Sequence, residues 1–367
     1  MKNSANMLAH RPVSRSRISP DGEAGDDIDV TVRRTTRLHD LARLASVSIT
    51  TVSRALNDSP AVNARTKQQI WKLAREHDYP FRGYMPAGPT AAAATIAIVI
   101  PRPQGREARL SDPFVLELVA GVGEAARQRG CDFVVSHVAP TDAAELDELM
   151  ATNRVNGIIF LGQSSLHAAF NRLAETETRF AVWGAQLPKQ AYCSVGSDNP
   201  LGARRATLHL ARLGRRRIVF LGDTEAPESM QRYQGYLEAL GQAGLSADSK
   251  LTVPAHFEIE AAEAAVDALL TRRLKFDGII AASDLIALGA VRALLRAGIS
   301  VPGDVSVVGY DDVPFARYSR PALTTIRQDT ALAGRLLLSK LLNAEPGREL
   351  RSERLPTDLV VRESCGG

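Results

Sequence analysis

Between residues 38 and 56, small and apolar side chains fall at Leu41, Ala45, Val47, Val52 and Ala55. That spacing packs two short helices at a steep angle around one turn. The turn lies on Ala45, Ser46 and Val47. Ser46 stands where a tight turn favours glycine, at a cost on the order of 1 kcal/mol if its backbone is left-handed. Ser48 follows as an N-cap, its hydroxyl placed to accept a backbone N–H of the second helix. That helix then offers Ile49, Thr50, Thr51, Ser53, Arg54 and Asn57. Short polar side chains around one arginine suit the DNA major groove, where Arg bonds a guanine edge with two donors and Ser or Thr reaches phosphates or bases. Taken alone, the hairpin is equally readable as an amphipathic pair with a solvated polar face.

Asn63 is placed to cap a third helix over residues 64–77. Ile70, Leu73, Ala74 and His77 share one face with Trp71 beside it, and Arg65, Lys67, Lys72 and Arg75 are expected to cover the rest. Residues 79–94 then contain three prolines and two glycines, which argues for a linker.

From Thr95 the pattern changes. Residues 95–101 are apolar without alternation, as in a strand buried on both faces of a parallel sheet. Helical and strand periods then alternate. Helices are expected at 113–129, 142–152 and 166–175, with strands at 132–136, 157–161 and 180–183. After Asp198 a second series begins. It has helices at 201–213, 230–243, 260–272 and 284–297, and strands at 217–221, 278–282 and 305–308. Two such runs predict two doubly wound α/β lobes, whose ligands sit at the carboxyl ends of the strands. Polar residues collect at those ends: Asp112, Gln163, Ser164, Asp198, Asn199, Asp223, Ser283, Asp284, Asp311 and Asp312. Each is singly explained as a helix N-cap, but together they suit a cleft for a hydroxyl-rich ligand. Gly121-Val122-Gly123-Glu124-Ala125-Ala126 matches a dinucleotide pattern but lies inside a helix, about twenty residues after its strand, so packing of that helix on the sheet explains it better. No Walker loop, nucleophile elbow or triad spacing is present, and no enzymatic activity or cofactor is expected.

Charge sharpens the picture. Of the net +4, residues 33–82 carry ten Lys/Arg against four Asp/Glu, so the hairpin region is +6 and the remainder −2. A local basic excess is the footprint of a nucleic-acid partner. Cys131, Cys193 and Cys365 are widely spaced, and no Cys/His spacing suggests a metal site, which fits a reducing cytoplasm. Residues 1–34 are polar and expected to be a disordered tail, with no signal-peptide or membrane-spanning run.

The chain resembles the lactose/galactose repressor family of bacterial transcription regulators. The head matches in DLARLASVSITTVSRALN and AVNARTKQQIWKLAREHDY. The core matches in VGSDNPLGARRATLHLARLGRRRIVFLGD, RYQGYLEAL, AASDLIALGAVRAL, DVSVVGYDD, RPALTTIRQD and LPTDLVVRES. The resemblance implies an all-α helix-turn-helix head at residues 35–79, a linker at 80–94 and a two-lobed α/β core at 95–364 like a periplasmic sugar-binding protein. Lobe 1 would take residues 95–197 and 327–349, and lobe 2 residues 198–326 and 350–364. It implies a homodimeric repressor or activator of a pseudo-palindromic operator, controlled by a sugar-like effector and not membrane-bound. By position, Ile49, Thr50 and Arg54 resemble base readers, and Ser48, Thr51, Ser53, Asn57, Asn63 and Thr66 resemble backbone contacts. Arg232, Ser283, Asp311 and Gln328 match effector-holding positions, and Pro113 and Phe114 an apolar wall; Gln163 joins them as a strand-end residue.

Three departures stand out. The linker leucine that wedges into the minor groove in this family is replaced by Gly88, flanked by Pro86 and Pro89, leaving Tyr84 or Met85 as bulky substitutes. The long loop after Pro101 carries Arg102, Arg106 and Arg109, consistent with either a solvated loop or an anionic effector. Ser283 stands where many relatives have Asn. Two other readings are a regulator that answers to a protein corepressor or to no ligand, and the solute-binding protein of a transport system, against which the basic head weighs.

Overall fold

The computed structural model describes residues 37–56, 59, 61–77, 79, 94–102, 111–152, 155–344 and 350–366. The expected tail at 1–34 and all of the linker except Ala94 lie outside the described residues, as do Asn57, Arg106 and Arg109.

The head is three helices, α1 (Leu38–Ala45), α2 (Ile49–Leu56) and α3 (Ala64–Glu76). Leu41, Ala45, Val52, Ala55, Ile70 and Ala74 meet in one small core. α3 is indispensable to it, because a two-helix hairpin has no third wall to exclude water. Lys67, expected on the solvent face of α3, is buried instead, and Trp71 is completely so. Both face the core of the chain, which helical periodicity within α3 does not reveal.

Two six-stranded sheets follow, each wrapped by helices. The first has the order β11-β5-β4-β3-β1-β2. Its strands are β1 (Thr95–Val99), β2 (Asp132–Val135), β3 (Gly157–Leu161), β4 (Phe180–Trp183), β5 (Ser194–Ser197) and β11 (Glu353–Leu355). Every pairing in it is parallel. α4 (Pro113–Arg129) and α12 (Thr330–Leu342) cover one face; α5 (Ala143–Thr152) and α6 (His167–Leu173) cover the other. β2 is an edge strand exposed along its whole length.

The second sheet has the order β12-β10-β9-β8-β6-β7. It contains β6 (Ile218–Leu221), β7 (Thr252–Val253), β8 (Gly278–Ala281), β9 (Ser306–Asp311), β10 (Thr324–Arg327) and β12 (Asp358–Val360). It is parallel except at its edge, where β12 runs antiparallel to β10. α7 (Asn199–Arg212), α8 (Pro227–Gln242), α9 (Ile259–Thr271) and α10 (Asp284–Arg296) pack against it. The short α11 (Pro314–Tyr318) follows β9. Among the described residues, no helix is long and apolar enough to cross a membrane.

The chain crosses between sheets three times: at Asp198 after β5, at Gln328-Asp329 after β10, and at Pro356-Thr357 between β11 and β12. The last crossing differs from the expected lobe boundary at residue 350, because β11 pairs with β5 and so stays in the first sheet. Gly121 does not pack on the sheet as expected. A Cβ there would overlap the backbone of Thr330, and one on Gly334 would overlap the backbone of Gly121. The two glycines let α4 and α12 touch backbone to backbone, while Gly123 alone faces the sheet, at Phe133.

Candidate functional site

In the head, Ser46 is left-handed (φ 54°, ψ 41°), which turns the chain sharply from α1 into α2. Ser48 Oγ accepts the Thr51 N–H at 3.0 Å and lies 2.8 Å from Thr51 Oγ1, so the two hydroxyls form one polar unit at the start of α2. Ile49, Thr50 and Arg54 are exposed beside it, while Val52 and Ala55 hold the helix to the head core. Ser53 and Thr66 are half-buried. Asn63 caps α3, its Oδ1 accepting the Thr66 N–H at 2.8 Å. Ile49, 47% exposed on an otherwise polar face, presents an apolar surface of the kind that can meet a thymine methyl.

The second site is built where the carboxyl ends of both sheets converge. Arg232, on α8, is buried. Its Nε donates to Asn199 Oδ1 at 2.9 Å, another of its N–H groups donates to the Ala282 carbonyl, and its guanidinium carbon lies 3.8 Å over the Tyr310 ring centre. Asp311 ends β9, 3.9 Å from Arg232, and accepts the Gln328 amide N–H at 2.7 Å. Asp311 (φ 125°) and Asp312 (φ 62°) are consecutive left-handed residues. This costly turn sends the Asp312 carboxylate to Arg362, 2.5 Å away, while Asp311 faces Arg232.

Burial raises the Asp311 carboxyl to about 7; Arg232 opposes the rise and Asp112 adds to it. Asp112 caps α4, accepting the Phe114 and Val115 N–H groups at 2.8 and 3.3 Å, and burial raises its carboxyl too. Asp112 thus stands at the start of a helix of the first lobe and Asp311 at the end of a strand of the second. Pro113 opens α4, and Phe114 leans on Trp183 of β4 with ring centres 5.9 Å apart, an apolar wall from the first lobe. Gln231 reaches from α8 to the Gln186 carbonyl at 2.9 Å, joining the two lobes directly.

Of the expected effector residues, Arg232, Asp311 and Gln328 are thus in one bonded group, and Pro113 and Phe114 stand on the wall. Ser283 is buried as the cap of α10, accepting the Ile286 N–H at 3.2 Å. Gln163 is fully buried in the first lobe. Its amide nitrogen is 2.7 Å from both the Ala185 carbonyl and Tyr192 Oη, and its Oε1 has no hydrogen-bond partner. Asp284 acts as an internal anchor, accepting from Thr325 Oγ1 at 2.5 Å and from the Val313 N–H at 2.9 Å.

Sequence reasoning missed Trp183 and Tyr310, because a buried strand aromatic looks like core. It also missed the pairing of Asp223 with His256 at 3.2 Å, formed by loops 33 residues apart. The assembly offers forked donors, carboxylate acceptors and flat apolar surfaces.

Residues 37–80 match the family model for bacterial regulatory proteins of the lacI family, and residues 207–365 match a periplasmic binding protein-like domain. The transcriptional regulator CelR of Thermobifida fusca is 33% identical over 338 residues, covering 90% of this chain and 99% of its own length. Among solved structures, the CelR–cellobiose complex superposes with a TM-score of 0.65 at 32% identity, over 90% of this chain and 99% of that one. The lac repressor dimer bound to operator and an anti-inducer gives a TM-score of 0.65 at 25% identity, over the same shares.

Proposed function

The chain belongs to the lacI family of bacterial regulatory proteins, DNA-binding transcription regulators rather than enzymes, and from that premise we propose that it is a homodimeric repressor released or tightened by a neutral, hydroxyl-rich effector bound between its lobes. The observation that carries the effector class is the Arg232–Asp311–Gln328 group opposite the Phe114–Trp183 wall. Sugars present paired hydroxyls to such forked donors and acceptors, and their C–H faces stack on aromatic rings. Asp311 and Gln328 beside the buried Arg232 offer acceptors to hydroxyl donors, which favours a neutral effector over the anionic one that the exposed Arg102 would otherwise invite.

Ile49, Thr50 and Arg54 are assigned to base edges. Ser48, Thr51, Ser53, Asn63 and Thr66 are assigned to the DNA backbone, together with Asn57, which lies outside the described residues. Two heads would read half-sites about one helical turn apart. Dimerisation is supported by apolar surface on both lobes: Leu116, Phe133, Val134 and Val135 on the first, Phe315 and Tyr318 on the second. Patches of this kind on a monomer mark an interface.

Calorimetry of the full chain against cellobiose, ribose, glucuronate and a hexose phosphate tests the effector class. Heat from a neutral sugar supports it. Binding confined to the charged ligands would overturn it. No binding by any would favour a protein corepressor or ligand-free regulation. Selection of genomic fragments at near-physiological salt tests the DNA reading, since non-specific phosphate binding is suppressed there.

A further inference from the structure

The head is not merely tethered to the core; it is docked on it. Lys67 of α3 places its Nζ 3.3 Å from Glu353 Oε1, and Lys340 of α12 reaches the same oxygen at 3.1 Å. All three side chains are at most 8% exposed. The Gln68 amide donates to the Arg354 carbonyl at 3.4 Å. Trp71 is completely buried within the apolar cluster of the first lobe, yet its Nε1 donates to the Ala55 carbonyl at 3.0 Å, at the end of the DNA-reading helix. Leu56 packs against both the head core and that cluster. A charged lysine leaves water only where partners compensate it, so the burial of Lys67 has to be explained by the docked arrangement itself.

The docking point is the third interlobe crossing. Glu353 and Arg354 lie on β11, and the chain passes to the second sheet at Pro356-Thr357, immediately after that strand. From the second lobe, Arg205 of α7 grips the crossing by donating to the Thr357 carbonyl. One three-residue strand therefore carries the head on one side and the lobe junction on the other.

We propose that β11 is a latch coupling lobe orientation to head orientation: Lys67, Gln68 and Trp71 seat α3 on it, and rotation of the lobes about Thr357 shifts that seat. This gives the protein a coupling route through its folded core, where its Pro- and Gly-rich linker sequence, with Gly88 between Pro86 and Pro89, supplies no leucine wedge. The inference rests on the regulator reading for its purpose alone, since the latch is tested without DNA or effector.

Amide hydrogen exchange on the full-length protein reads it. In Lys67→Met the Glu353–Lys340 pair stays intact, so the core keeps its fold. The interior amides of α3 should exchange at least tenfold faster, with α1, β3 and β8 unchanged, and Lys67→Arg should restore most of the protection. In Arg205→Met, a residue whose side chain grips the crossing rather than the head, α3 exchange should also rise. Equal α3 exchange in wild type and Lys67→Met would mean the head is not seated on β11 and would overturn the proposal. Loss of α1 protection together with α3 would assign Lys67 to the head fold, and would also overturn it. Acceleration at β12 but not α3 in Arg205→Met would leave a docked head uncoupled from the lobes and refute the latch. In that case Gln68→Ala, a milder change at the same seat, should loosen α3 alone. Failure of DNA binding in every protein, with the exchange pattern as expected, would sink the regulator reading and not the latch.

Discussion

Arg232 and Asp311 face each other at 3.9 Å, both more than nine-tenths buried, with the guanidinium stacked on Tyr310 from the same strand end. The pair is too long for a tight ion pair. Each partner spends its nearer hydrogen bonds on neutral groups: Asn199 and Ala282 for the arginine, Gln328 for the aspartate. The arginine and the aspartate are therefore held close by neutral partners rather than by each other.

Replacing Arg232 with Met keeps the volume of the side chain and removes its charge and its donors. Hydrogen bonds to a charged group contribute about 1.5–3 kcal/mol each, so effector affinity should fall by roughly ten- to a hundredfold per lost bond. Stability should fall by about 1–3 kcal/mol, since Asn199 Oδ1 and the Ala282 carbonyl lose their buried donor. Calorimetric titration and a urea melt separate the two effects, and an unchanged Kd would remove Arg232 from the site.

The Asp311 carboxyl is raised from 3.8 to about 7, chiefly by burial. Asp284 is raised in the same direction, by burial first and then by Asp311. A group whose pKa is raised on folding contributes stability fully below its unfolded value and loses it as pH rises through the folded one. The melting temperature should therefore fall as pH rises from about 4 through about 7. Asp311→Asn should flatten that slope in scanning calorimetry. A melting temperature that climbs through this window in the wild type would contradict the burial of these carboxyls.

Ser46 holds a left-handed turn at a cost of about 1–2 kcal/mol to a residue with a Cβ, while glycine there loses about 0.5–1 kcal/mol of extra chain entropy. Ser46→Gly should therefore stabilise the head by about 0.5 kcal/mol or slightly more. The readout is slower exchange of α1 and α2 amides. Faster exchange would show that the Ser46 hydroxyl makes up for the backbone strain.

Arg54 is the long, charged side chain on the exposed face of α2. If it reads a guanine edge, Arg54→Ala should cost about 1–3 kcal/mol on a selected operator and relax preference at one base position. If it touches only phosphate, affinity should drop evenly across sequences and the salt dependence should shallow. Fragment selection repeated with the variant distinguishes the two.

The sequence by itself determined the head and the alternation of the two lobes. Leu41, Ala45, Val52 and Ala55 mark the hairpin because a helix has a fixed period, and strands such as β1, β3 and β8 read as unbroken apolar runs because both faces are covered. The periodicity reading ends at residue 308 and so omits α12; β10 (TTIR), β11 (ERL) and β12 (DLV) carry Thr, Arg, Glu or Asp and lack the unbroken apolar run that marks β8 (GIIA). Strand-end polar residues likewise pointed to a cleft, since the carboxyl ends of parallel strands open toward it.

Tertiary structure alone decided what those residues do. Ser283 and Asp284 carry equal promise in sequence, but one becomes a helix cap and the other an anchor for Thr325 and Val313. Lys67 sits among solvated basic residues in the helical pattern, yet it is buried by a glutamate 286 residues away. Local sequence sets which face of an element is apolar. It does not set which distant element comes to rest on that face, because that contact is fixed by the packing of whole sheets and by where the chain crosses between them.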